Sequence, residues 1–181
     1  MHVGHPQPQR FEVLLRPTLA GLRRFAVRLT RDPVGAEDLL QQALVTGLSR
    51  FDQLEDEGAF RVWVSRILFR THLNRRKRKT EQALDPAILD NVVSLDAARS
   101  PGPLKHYERA RLADDLSAAL DTLPEDQRDA VWLVDGQGFK FAEAAKILEI
   151  PPGTAASRVA RARLTLRGLL QNVALEEGVI R

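Results

Sequence analysis

From Phe11 onward, apolar residues return at helical spacing, at Leu14, Leu15, Leu19, Leu22, Phe25, Ala26 and Leu29. Such spacing places them on one face of a 3.6-residue spiral that can turn toward a core. Pro17 lies inside the run and has no backbone N–H to donate, so the pattern predicts one or two amphipathic helices interrupted there. Asp32-Pro33 has the form of an N-cap followed by proline at the first helical position. The helix it opens turns Ala36, Leu39, Leu40, Ala43, Leu44 and Leu48 inward and leaves Glu37, Asp38, Gln41 and Gln42 outward. Glu55-Asp56-Glu57-Gly58 reads as a loop, and a further helix is predicted from Phe60 to about Lys79. In that helix Phe60, Val64, Ile67, Leu68 and Thr71 share the core side, while Trp63, Arg66, Arg70, Asn74 and Lys77 line another. Trp63 suits a core position as well as a stacking one.

Between about residues 80 and 106 the periodicity fades into short apolar groups separated by Asp85-Pro86 and Ser100-Pro101-Gly102-Pro103, the pattern of a linker. A second helical block is predicted from near Tyr107, with Leu112, Leu116, Ala119, Leu120 and Leu123, and Pro124 opens another helix. Asp135-Gly136-Gln137-Gly138 is a turn signal, Phe139 to about Glu149 a short helix, Pro151-Pro152-Gly153 a tight turn and Thr154 to about Leu170 a last long helix. No segment alternates apolar and polar strongly enough for a strand. The expected fold is all-α: two small helical domains on a flexible linker, divided as a disordered start over 1–10, a first domain over 11–79, a linker over 80–106 and a second domain over 107–181.

Composition narrows the chemistry. The chain has 181 residues, 44% hydrophobic and 28% charged, the balance of a folded globular protein rather than a disordered one. It has no cysteine, which removes disulfides, thiolate catalysis and cysteine-bound metals. No stretch approaches the roughly 20 apolar residues of a membrane span. The start, Met1-His2-Val3-Gly4-His5-Pro6, lacks the blocks of a signal peptide, so a cytoplasmic location is expected. No phosphate-binding Gly-Lys-Ser/Thr loop, dinucleotide fingerprint or serine elbow is present, and the four histidines form no metal-spaced cluster. Neither an enzyme nor a cofactor is expected. Basic charge gathers in Arg75-Arg76-Lys77-Arg78-Lys79, which points to a polyanion.

The helix, turn and longer helix from Phe139 to Leu170 have the spacing of a helix-turn-helix, whose second helix enters the DNA major groove. On that second helix Ala155, Val159, Ala162, Leu166 and Leu169 form a narrow apolar stripe, while Thr154, Ser157, Arg158 and Arg161 fall together elsewhere, near the helix start. Hydroxyls and guanidinium forks there suit phosphates and the guanine O6/N7 edge. Arg163 and Arg167 lie on a flank and suit phosphate contacts. Leu123-Pro124-Glu125-Asp126-Gln127-Arg128, Phe139-Lys140-Phe141-Ala142-Glu143-Ala144-Ala145 and the run from Ile150 to Arg163 together closely resemble region 4 of extracytoplasmic-function sigma factors. The resemblance implies recognition of a −35 promoter element through Thr154, Ser157, Arg158 and Arg161. Ala156 and Ala160 stand where relatives often carry a larger or basic residue.

The first block resembles region 2 of the same family, in Leu29-Thr30-Arg31-Asp32-Pro33, Ala36-Glu37-Asp38-Leu39-Leu40-Gln41-Gln42, Phe51 and Phe60-Arg61-Val62-Trp63-Val64-Ser65-Arg66-Ile67. By that resemblance Glu37, Asp38, Gln41 and Gln42 face core RNA polymerase at the β′ clamp helices. The second domain would meet the β flap. Phe60, Arg61, Trp63, Arg66, Arg70, Asn74 and Lys77 would serve the −10 element, where strand opening and capture of a flipped base occur. Aromatic and basic groups on one face are what a melted strand requires, since bases stack on rings and phosphates pair with cations. The resemblance also implies promoter DNA and an anti-sigma protein as partners, with no membrane insertion. The competing readings are a stand-alone helix-turn-helix transcriptional regulator, and a helical enzyme or adaptor with an incidental basic surface.

Overall fold

The computed structural model describes residues 7–83 and 116–176. Every regular element among them is helical, and they form two compact units. The first unit is built from α1 (Gln7–Leu15), α2 (Leu19–Thr30), α3 (Pro33–Ser49) and α4 (Phe60–Ala83), with 3₁₀ turns at Phe51–Gln53 and Glu57–Ala59 between the last two. Pro17 separates α1 from α2 as its missing donor requires, and Thr18 closes the break by donating its hydroxyl to the carbonyls of Leu14 (3.0 Å) and Leu15 (2.9 Å). Asp32 caps α3: its carboxylate accepts the N–H groups of Val34 at 3.2 Å and Gly35 at 2.8 Å, and Pro33 takes the first helical position.

The core of this unit joins Leu22, Phe25 and Ala26 of α2 to Leu39, Leu40 and Ala43 of α3 and to Val64 and Leu68 of α4. Each large side chain buried there contributes about 1.5–3 kcal/mol. An aromatic cluster closes one end. Phe11 meets Phe51 and Phe60 edge-on, with ring centroids 5.4 Å away in both cases. Gly47 of α3 lets that cluster approach, because a Cβ on it would stand 3.3 Å from the Phe11 ring and 3.8 Å from Trp63.

In the second unit α5 covers residues 116–122 and α6 spans Glu125–Val131. One π-helical turn, Trp132–Gly136, continues α6, and α7 (Phe141–Leu148) and α8 (Pro152–Glu176) follow. Leu123, Ala130, Val131 and Leu133 are buried with Ala144 and with Ala155, Val159 and Ala162 of α8. Arg128 is buried to 7% exposure, and its guanidinium reaches Asp121 of α5 at 3.3 Å.

Four expectations are corrected. Helix α1 begins at Gln7, inside the start expected to be disordered over 1–10. Its first turn needs no apolar face, tolerates Pro8, and is anchored by Phe11 and by the pairing of Arg10 with Glu57. Helix α4 runs past Lys79 to Ala83, so 80–83 are helical, with Thr80 donating to the Arg76 carbonyl at 3.1 Å and Lys77 facing Glu81 one turn on. The turn expected at Asp135-Gly136-Gln137-Gly138 opens later. The Gln137 N–H still reaches the Trp132 carbonyl at 2.9 Å, and only Gly138, with φ of +71°, adopts the left-handed conformation that turns the chain. Leu48 is exposed rather than inward, since Gly47 takes the buried phase of the last turn of α3 and Leu48 lies about 100° around the helix from it. The expected linker from residue 84 to 106, and the block start at Tyr107 and Leu112, lie outside the described residues.

Candidate nucleic-acid interface

Helices α7 and α8 with the Pro151 turn form the helix-turn-helix of the second unit. Ala155, Val159 and Ala162 are at most 1% exposed and seat α8 on the scaffold, while Leu166 and Leu169 at the far end of the stripe are half-buried. Opposite them Ser157, Arg161 and Arg167 are exposed, and Thr154 and Arg158 are partly so. Arg161 folds back along the helix, donating from Nε to the Ser157 carbonyl and from a terminal nitrogen to Ser157 Oγ, both at 3.3 Å. Thr154, Ser157, Arg158 and Arg161 are thereby gathered on the first turns of α8, with Arg167 farther along it.

Arg163 has a different place. Its Nε and a terminal nitrogen grip Asp135 at 3.0 and 2.6 Å, and its guanidinium lies 5.9 Å from the Phe141 ring. Hydrogen bonding to Asp135 and that carboxylate's charge hold the guanidinium more firmly protonated than usual. Through that fork Asp135 ties α8 to the π-turn, and a phosphate contact of the kind expected of Arg163 would compete with this carboxylate. The π-turn is what directs Asp135 there. Sequence reasoning missed Asp135 because a pairing so distant in the chain leaves no periodic signature.

In the first unit Asp38, Gln41 and Gln42 are exposed on α3, and Glu37 is half-buried beside Arg23, 3.3 Å from its guanidinium. Arg75 of α4 crosses to this face, donating to Gln42 Oε1 at 2.7 Å and to the Asp38 carbonyl at 2.9 Å. Sequence reasoning found the polar residues of this face but not its apolar ones. Val34 (73% exposed), Asp38, Gln41, Val45 (70%) and Leu48 (41%) recur at alternating intervals of four and three, making a mixed apolar and polar stripe along the outer face of α3. The alternation was present in the sequence, but assigning Leu48 inward concealed it.

On α4, Arg61, Arg66, Arg70, Asn74 and Lys77 are exposed and Trp63 is half-buried, its ring 6.0 Å from that of Phe60 and close to Gly47. Phe60 does not join them. At 2% exposure it is enclosed by Phe11, Phe51 and Trp63, so it is a core residue that supports Trp63 and no base can stack on it without unpacking the cluster. Arg70 and Asn74 instead line an open groove of about 420 Å³ between α3 and α4, with Gln42, Thr46, Arg50 and Arg78. With Arg75, four arginines surround this groove beside two amides, a lining that attracts anions. Among the described residues no cluster of His, Asp or Glu could hold a metal ion, and no helix is long and apolar enough to cross a membrane.

Comparison with known proteins gives the two units a context. Residues 14–82 match the family model "Sigma-70 region 2", and residues 113–166 match "Sigma-70, region 4". The chain is 36% identical over 152 residues to the ECF RNA polymerase sigma factor EcfG of Rhodopseudomonas palustris, covering 82% of this chain and 78% of the relative. It is 32% identical over 160 residues to the ECF RNA polymerase sigma factor SigM of Mycobacterium tuberculosis, covering 88% of this chain and 76% of that protein. Among solved structures, the sigma factor RpoE of Bartonella quintana, crystallised in complex with the anti-sigma factor NepR, superposes with a TM-score of 0.67 at 32% identity. That match covers 90% of this chain and 98% of RpoE.

Proposed function

This chain belongs to the sigma-70 family, in its extracytoplasmic-function group of RNA polymerase sigma factors, and we propose how its surfaces divide that work. Helix α3 binds the clamp helices of the core enzyme through Asp38, Gln41 and Gln42, with Val34, Val45 and Leu48 as apolar anchors. The groove between α3 and α4, with Trp63 at α4's start, takes the −10 element. The first turns of α8 read the −35 element through Thr154, Ser157, Arg158 and Arg161, and Arg167 touches phosphate. The observation that carries this reading is the coexistence on one chain of a recognition helix with its polar face outward and a separate arginine-lined groove.

Strand opening in this scheme needs no bond-making chemistry. Unstacking a base costs a few kcal/mol, which binding the extruded base can offset. Two weak DNA contacts on one chain become a strong one when polymerase fixes their spacing, through effective concentration. A stand-alone regulator would have no use for the α3 stripe, and the region 2 match argues against it. The protein acts in the cytoplasm, where polymerase is, and is held by an anti-sigma protein as the Bartonella relative is. The decisive experiment adds the purified chain to core polymerase and measures initiation from a promoter library. Stoichiometric core binding with promoter-selective initiation is expected, and failure to bind the core enzyme would sink the assignment.

A further inference from the structure

Arg158 sits on α8 with its side chain only 24% exposed, although its polar neighbours Ser157 and Arg161 are free to solvent. The cause lies on another helix. Asp126, in the first turn of α6, places Oδ2 3.1 Å from Nε of Arg158, while its Oδ1 accepts the N–H of Gln127 at 2.9 Å. The carboxylate is therefore itself pinned by backbone before it meets the arginine. The ion pair closes on Nε, and the two terminal nitrogens at the end of the guanidinium can form the end-on fork that matches O6 and N7 of guanine.

We propose that Asp126 is a specificity-determining positioning residue: it buttresses Arg158 so that the end-on fork is presented to a guanine in the −35 element. The inference rests on the reading of Arg158 as a base contact. An unbuttressed arginine has several rotamers and can settle on a phosphate or on the wrong acceptor. A buttressed one has given up that freedom before DNA arrives, and a base offering no paired acceptors leaves the fork unsatisfied. The negative charge also repels nearby phosphates, which penalises any docking that lacks the guanine contact.

The test uses holoenzyme assembled from core polymerase and the full chain, and measures initiation on promoters carrying each base pair at each −35 position. Arg158→Ala should flatten the profile at one position, losing roughly 5- to 150-fold of discrimination, the worth of one bidentate contact. Asp126→Ala should flatten it at the same position and at no other. Asp126→Asn keeps an acceptor oxygen without the charge and should fall between. Thermal melts confirm folding, and Asp126→Asn, which retains the bond to Gln127, decides the matter should the alanine variant not fold. Uniformly lower initiation on all promoters, or an unchanged profile, with either Asp126 variant overturns the buttress while Arg158 keeps its role. A profile untouched by Arg158→Ala removes the base-reading assignment and the buttress with it.

Discussion

Removing the Phe60 ring separates a core role from a DNA role. Phe60 is 2% exposed and meets three aromatic rings, Phe11 at 5.4 Å, Phe51 at 6.3 Å and Trp63 at 6.0 Å. Truncating a buried phenylalanine to alanine costs about 3–5 kcal/mol. Of that, each edge-on aromatic contact accounts for about 0.5–1.5 kcal/mol beyond area burial. A loss of this size is comparable to the whole stability of a small helical unit, about 5–15 kcal/mol for typical domains. Phe60→Ala should lower the urea midpoint of the first unit by at least about 1 M, given slopes of about 1–3 kcal/mol per molar. Fluorescence of Trp63 in a Trp132→Phe background isolates that unit from the second. Phe60→Leu keeps most of the volume and should cost under about 1.5 kcal/mol. In holoenzyme it should melt the −10 element, seen by permanganate reactivity of unpaired thymines, nearly as the parent does. An unshifted midpoint for Phe60→Ala, or a stable Phe60→Leu protein that cannot open the promoter, would refute the core assignment.

Three further outcomes are expected. Asp substituted at both Val45 and Leu48, exposed on α3, should leave helicity unchanged while weakening core polymerase binding at least about 10-fold by titration, since interface anchors exceed about 1 kcal/mol each. Asp32→Ala removes the acceptor for Val34 and Gly35 and should destabilise the first unit by about 1 kcal/mol, while Asp32→Asn largely restores it in the same denaturation assay. Arg163→Ala should leave the base preference of the −35 profile intact and lower the melting temperature of the second unit slightly, because its guanidinium is engaged by Asp135.

The parts of this molecule legible in the sequence are those fixed by local chemistry. Asp32-Pro33 starts a helix because a carboxylate and a pre-set φ act within three residues, and Pro17 breaks one because its own nitrogen has no hydrogen. The inward stripe of Ala155, Val159 and Ala162 was equally plain, since a face buried on a scaffold repeats with the helix. What escaped depends on where a helix ends against its neighbours. Periodicity put Phe60 with the core and the family resemblance put it with the DNA, and only the ring of Phe11, brought in from α1 across Gly47, decides between them. Leu48 looks inward by its apolar character, but Gly47 takes the buried phase of that turn, and Leu48, about 100° around α3, falls on the outer stripe. The arginines of α8 show the limit most clearly: Arg158, Arg161 and Arg163 are equal as letters, yet Asp126, Ser157 and Asp135 give each a different partner. A basic helix therefore states that DNA is wanted, and the acids that face it determine which of its arginines remain to read.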